Sequence, residues 1–219
     1  MAFAYEKNIV PVVQDLVGGM FDFAVYGLGY ELKGFYDRFL DSKYCRCVEK
    51  ADSKTVMGQS GIELTYAVSE YERLDNAQMD EYTMHAISGR SREYWIGWVL
   101  SYYQWATSLS YREIENIRDI EKISAMYEVY HEMDITHFVD KMNALYKEKH
   151  PYTRLKQIRT NAGLSQKNLA DITQIPVKTI QQYEQRQKNI NNASVDYVVR
   201  LSRALKCDIE MLLEVETNI

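Results

Sequence analysis

Proline is nearly absent: Pro11, Pro151 and Pro176 are the only three in 219 residues. With so few breakers and little apolar–polar alternation, the whole chain reads as helical. Cysteine is equally scarce. Cys45, Cys47 and Cys207 are too few and too scattered for a disulfide framework. Cys45-x-Cys47 has no second Cys/His pair nearby, which argues against a zinc site, and the thiols fit a reducing compartment. No apolar run reaches the roughly 18 residues a membrane span needs. Tyr5, Glu6 and Lys7 do not open a basic-then-apolar leader. A soluble, cytoplasmic chain without membrane association is expected.

Catalytic patterns are missing too. There is no nucleophile elbow, no strand-following phosphate loop and no HExxH. Gly18-Gly19 and Gly27-Leu28-Gly29 follow no strand. His131, Glu132, Asp134 and His137 imitate a metal cluster, but a spacing of six puts the two imidazoles on different helical faces. No metal, no cofactor and no enzymatic activity is expected.

Charge is unevenly distributed. Residues 1–150 hold 16 basic against 24 acidic side chains, a balance of -8, whereas residues 151–207 carry a balance of +7. The last twelve residues add four acids and no base. A basic module on an acidic body fits nucleic-acid contact confined to one end. His150-Pro151 marks the boundary, because a residue preceding proline is pushed out of helical geometry. Two domains are expected, residues 1–150 and 151–219.

In the first domain, Ile9 to Tyr30 predicts a long apolar helix broken or capped near Gly27-Leu28-Gly29. Leu32, Phe35, Tyr36 and Phe39 form the inward face of the next. Lys54 to Gly61 reads as a loop. Ser60-x-x-Glu63 and Ser110-x-x-Glu113 have the pattern of capping boxes, and Asp134 can cap the domain's last helix. The densest apolar stretch runs from Arg92 to Ser108, with Trp95, Trp98, Tyr102 and Trp105 on one stripe. Gly97 within it suggests a close neighbouring backbone. Two readings stand for this helix: a core element, or a pocket or partner surface lined by Tyr94, Tyr103 or Gln104.

The second domain is more specific. The run from Leu164 to Glu184 places Leu169, Ala170, Ile180 and Tyr183 on two short amphipathic segments around a tight turn ending at Pro176. Such a pair presents its second helix outward, sized for a major groove. With Leu155, Arg159, Gly163 to Gln166, Thr179, Leu201 to Cys207 and Met211 to Leu213, the segment resembles the Cro/C1-type (XRE) helix-turn-helix family. The resemblance covers about the last 60 residues and implies an all-α, five-helix C-terminal domain after a helical N-terminal one. It predicts helices near Tyr152–Ala162, Gln166–Thr173, Val177–Glu184, Ser194–Leu205 and Ile209–Leu213, with Ser165 and Asp208 as caps.

The resemblance also implies a structural pair between Arg159 and Glu184. DNA contact then falls to Val177, Lys178, Gln181 and Gln182, which can offer a methyl contact to thymine and donors to guanine or adenine. Gln166 and Thr179 suit phosphate oxygens near helix N-termini. Gln187, Lys188 and Asn189 in the next loop would meet the backbone. Gln185-Arg186 replaces the Asn-Gly of many relatives, and Arg186 adds a phosphate-capable charge.

The first domain is similar, more loosely, to helical regions preceding such modules in bacterial proteins encoded beside small toxin-like genes. Its carrying stretches run from Met20 to Ser42, Gly58 to Val68 and Ser91 to Ile114. The expected function is a sequence-specific DNA-binding regulator of antitoxin type. It would be a homodimer on a two-fold operator in double-stranded DNA, with a cognate toxin protein as possible partner. The alternative is a stand-alone regulator whose aromatic first domain senses a small ligand.

Overall fold

The computed structural model describes residues 3–71 and 73–215, and every regular element among them is helical. The chain divides between Tyr146 and Lys147 into two compact units. The N-terminal unit opens with α1 (Val10–Asp22), α2 (Leu32–Asp41), α3 (Lys43–Glu49), the single turn α4 (Ser53–Val56) and α5 (Gly61–Ser69). It continues with α6 (Asn76–Ser88), α7 (Arg92–Thr107), α8 (Tyr111–Ile117), α9 (Ile120–Ala125) and α10 (Tyr127–Tyr130). Next, α11 (Ile135–Lys149) leads out of this unit and stops short of Pro151.

Short polar side chains start most of these helices. Ser60 and Ser110 each form the reciprocal capping box with Glu63 and Glu113. Asp75 does the same with Gln78, and Ser91 accepts from the Tyr94 amide to start α7. The segment read as a loop begins with a turn of helix, because Asp52 accepts from the Thr55 amide at 3.1 Å and nucleates α4. Ser60→Ala is expected to cost about 1 kcal/mol. The check is a lower urea midpoint with an unchanged slope; an unmoved midpoint would mean the cap contributes nothing there.

α1 lies at the centre of the unit, packed between α5 and α7. With the wider turn Phe23–Gly27, its apolar stretch from Lys7 to Gly27 is long enough by composition to cross a membrane, contrary to the expectation that no run is. Its side chains instead fill the interior: Val13, Val17, Met20, Phe21 and Phe23 are fully buried. The close packing depends on missing side chains. A Cβ on Gly97 would stand 2.5 Å from the Val17 carbonyl oxygen, and one on Gly61 would stand 2.6 Å from the Gly19 carbonyl carbon. Phe21 then meets Phe35, Tyr36 and Phe39 edge-on, with centroids 5.7–6.2 Å apart.

α7 is therefore a core helix, and two of its suggested surface residues are not at the surface. Tyr103 is fully buried and donates to Asn143 Oδ1, while Gln104 is 2% exposed and donates to the Glu49 carbonyl. Both face inward because α7 is packed on more than one side: Tyr103 meets Phe138 and Asn143 of α11, and Gln104 reaches Glu49 at the end of α3. The tryptophan stripe lies to one side. Trp105 is buried with its indole donating to the Tyr5 carbonyl, but Trp95, Trp98 and Tyr102 are only half-buried.

Among the described residues of this unit, one carboxylate is buried. Asp22, 5% exposed, accepts from Tyr82 at 2.7 Å and Ser91 at 2.5 Å, and lies 3.4 Å from His85. This joins α6 to the ends of α1 and α7. Ser91 and His85 both address Asp22, which is not the relay a hydroxyl nucleophile needs.

The C-terminal unit consists of α12 (Arg154–Asn161), α13 (Gln166–Thr173), α14 (Val177–Glu184), α15 (Val195–Leu205) and α16 (Ile209–Leu212). Its core gathers Leu155, Leu169, Ile175, Ile180, Leu201 and Leu212, all nearly sealed from solvent. Thr153, Ser165 and Ser194 cap α12, α13 and α15. Asp208, expected to cap α16, makes no side-chain cap bond. In that four-residue helix, one backbone bond from the Met211 amide to the Asp208 carbonyl closes the turn instead.

Candidate nucleic-acid interface

The turn between α13 and α14 is set by three adjacent residues. Gln174 takes a left-handed conformation at φ 56° and its side-chain Nε2 donates to the Asp171 carbonyl. Ile175 is 1% exposed and anchors the turn in the core, and Pro176 supplies extended geometry at the α14 N-cap. No side chain caps α14, so the first amides of that helix remain available to an anionic group. Leu169 and Ala170 on α13 join Ile180 and Tyr183 on α14 in the core, which fixes the crossing of the two helices.

A buried ion pair secures that crossing. Arg159 Nε and Nη2 donate to the two Glu184 carboxylate oxygens at 2.5 and 2.9 Å, and Nη1 donates to the Leu164 carbonyl at 2.6 Å. The Glu184 hydrogen bond raises the Arg159 pKa above its already high value. Gln166 completes the site: its amide donates to Glu184 Oε2 at 2.7 Å and its oxygen accepts from Gln181 at 3.4 Å. One carboxylate thus ties α12, α13 and α14 together.

The expected contact residues separate on this frame. Lys178 is exposed on the first turn of α14, and the half-buried Gln182 has no hydrogen-bond partner for its side-chain amide among the described residues. Thr179 is half-buried beside them. Gln187 and Lys188 stand exposed in the following loop, where Asn189 accepts from the Asn191 amide and shapes the turn.

Four residues expected at the interface have other attachments. Val177 packs partly against the core instead of projecting freely. Gln166 and Gln181 are linked to each other and to Glu184, so their amides brace the frame. Arg186 donates to the His150 and Pro151 carbonyls at 2.9 and 3.0 Å, and so holds the entry to the unit where a phosphate contact was expected. Arg186 itself has φ 57°, a left-handed conformation that favours glycine.

Two features lay outside the sequence reading. Lys167 is exposed on the first turn of α13, adding a cation near its N-terminus. Glu214 accepts from the Arg154 amide at 2.6 Å and exchanges two 2.8 Å bonds with Asn191, closing the end of the unit onto its start. The cation is visible in sequence at helix position N2. The clasp has no local signal, because its partners are 23 and 60 residues apart.

Residues 155–212, nearly the whole of this unit, match a family model described as helix-turn-helix. No curated protein and no solved structure matches the chain.

Proposed function

Taking residues 155–212 as a helix-turn-helix DNA-binding module of a transcription regulator, we propose that it reads operator sequence through Lys178 and Gln182. The carrying observation is the rigid mounting of α14: the Arg159–Glu184 pair and the core hold its inner face, leaving those two side chains outward without intramolecular duties. Lysine is a donor to guanine O6 and N7, and glutamine pairs bidentately with adenine. Lys167, Lys188 and the open amides of α14 supply phosphate contacts, which position the module without specifying sequence.

The finer reading is an autorepressor of antitoxin type. The N-terminal unit binds a partner protein or a second copy, and two modules read half-sites about one helical turn apart, roughly 34–36 Å. Doubling the half-site multiplies a specificity that one small module supplies only in part. The alternative, a regulator whose N-terminal unit senses a small molecule, is favoured by an aromatic cleft in that unit.

Fluorescence anisotropy on the DNA upstream of the protein's own gene tests the reading. Affinity should fall steeply with salt, because phosphate contact releases counterions. Lys178→Ala with Gln182→Ala should weaken operator binding by about 2–4 kcal/mol, given about 1–3 for each good base contact, and leave random-sequence binding much less affected. Equal losses on both DNAs would sink the groove assignment. Co-purification of a stoichiometric neighbour-encoded protein would favour the antitoxin reading, and ligand-induced thermal stabilisation the sensor.

A further inference from the structure

A cleft of about 250 Å³ opens on the N-terminal unit where α7 meets α10. Arg90, Tyr94, Trp95, Trp98, Tyr127 and His131 line it, with Ser91 at its edge. Its walls are aromatic faces already in mutual contact: Trp95 meets Tyr127 edge-on at 5.5 Å, and Tyr127 stacks on His131 at 4.3 Å. Trp95 and Trp98 are half-exposed on a helix whose other faces are largely sealed, and neither indole N–H has an acceptor among the described residues. Both donors are open to solvent beside aromatic surface, where a molecule entering the cleft can engage them.

The charges select its class. Aromatic faces attract cations, but Arg90 already covers the Tyr94 ring at 4.6 Å and no carboxylate lines the cleft. Arg90 is 68% exposed, and its ion pair with the equally open Asp15 spans 3.7 Å, a contact weak enough to be exchanged. His131 has its Nδ1 engaged by the Tyr127 carbonyl at 2.8 Å and its Nε2 lies 3.7 Å from Glu132 Oε1, so the imidazole offers the cleft no free donor. Arg90 and the two indole N–H groups are the donors the cleft offers, and the volume suits a compound smaller than a drug-sized ligand.

We propose that this cleft binds a small planar aromatic anion, its ring against Trp95 and Trp98 and its acidic group paired with Arg90. The site goes beyond the DNA-reading role and gives the N-terminal unit a ligand of stated chemistry.

Titration of the full-length protein with 2-naphthoate, followed by tryptophan fluorescence and calorimetry, tests the proposal. One-to-one binding is expected, with the neutral alcohol 2-naphthylmethanol at least about tenfold weaker, as loss of a charge-assisted contact implies. Arg90→Ala should weaken 2-naphthoate by a similar factor with an unchanged melting temperature, since that side chain is exposed. Trp98→Phe, which keeps a ring in place, should retain measurable binding. Equal affinity for acid and alcohol, an unchanged Kd in Arg90→Ala, or no binding at millimolar probe would each overturn the site. Operator affinity measured on the same samples reports on α14, so a failure of the DNA-reading assignment would be seen separately.

Discussion

Glu184→Ala is expected to destabilise the C-terminal unit by about 3–5 kcal/mol, the usual cost of removing one partner from a buried ion pair. The carboxylate is 2% exposed and receives three donors, two from Arg159 and one from Gln166. Without it the guanidinium keeps its bond to the Leu164 carbonyl but carries a buried, uncompensated charge. Marginal domains have roughly 5–15 kcal/mol in total, so the loss would melt this unit well before the other. All three tryptophans lie in the N-terminal unit, so the reporter must be hydrogen exchange of α13 and α14 amides. Arg159→Met combined with Glu184→Leu should recover most of the stability, because an apolar pair of similar volume avoids the desolvation penalty. If Glu184→Ala left amide protection unchanged, the pair would not be what holds α14.

Gly97→Ala is the corresponding test of the N-terminal unit. A single methyl there meets the Val17 carbonyl oxygen at 2.5 Å, the Val17 carbonyl carbon at 2.7 Å and the Gly18 nitrogen at 2.8 Å. These are backbone atoms of α1, which cannot rotate aside as a side chain would. The substitution is expected to cost about 3 kcal/mol, the upper end for overpacking a core, against a gain of up to 1 kcal/mol in helix propensity. Gly34→Ala is the control, since Gly34 lies exposed in α2 and an added methyl would meet nothing within 4 Å. It should stabilise by roughly 0.5–1 kcal/mol. Denaturant melts followed by tryptophan fluorescence compare the two. Similar shifts in both variants would show that α7 does not approach α1 as closely as described.

The helix-turn-helix residues were readable because their constraints are local. Ser165, the tight turn ending at Pro176 and the apolar spacing of α13 and α14 lie within twenty residues, and the two helices fall where expected. The N-terminal unit was less readable. A stripe on a helix wheel identifies an apolar face but not which face meets the densest neighbour, so two readings stood for α7, and Tyr103 and Gln104 lie in the core as the first of them had it. Tyr94 stayed near the surface, where its hydroxyl reaches Asp15.

Arg186 shows the same limit within the DNA-binding unit. Its charge and loop position suggest a phosphate contact, yet the acceptors that hold it are carbonyls 35 and 36 residues earlier. Nothing in a local window announces that pairing.

By itself the sequence determined the helical class, the starts of helices at Ser60, Ser110 and Ser165, the placing of α13 and α14, and the Arg159–Glu184 pair that the family resemblance implied. These depend on caps, turn residues and periodic burial, which act over a few residues. Only the tertiary structure separated the outward Lys178 and Gln182 from Gln166, Gln181 and Arg186, which brace the frame. It also decided that Trp95 and Trp98 border a cleft while Tyr103 fills the core. A polar or aromatic side chain takes whichever acceptor or surface the packed chain brings to it, and those neighbours come from distant segments.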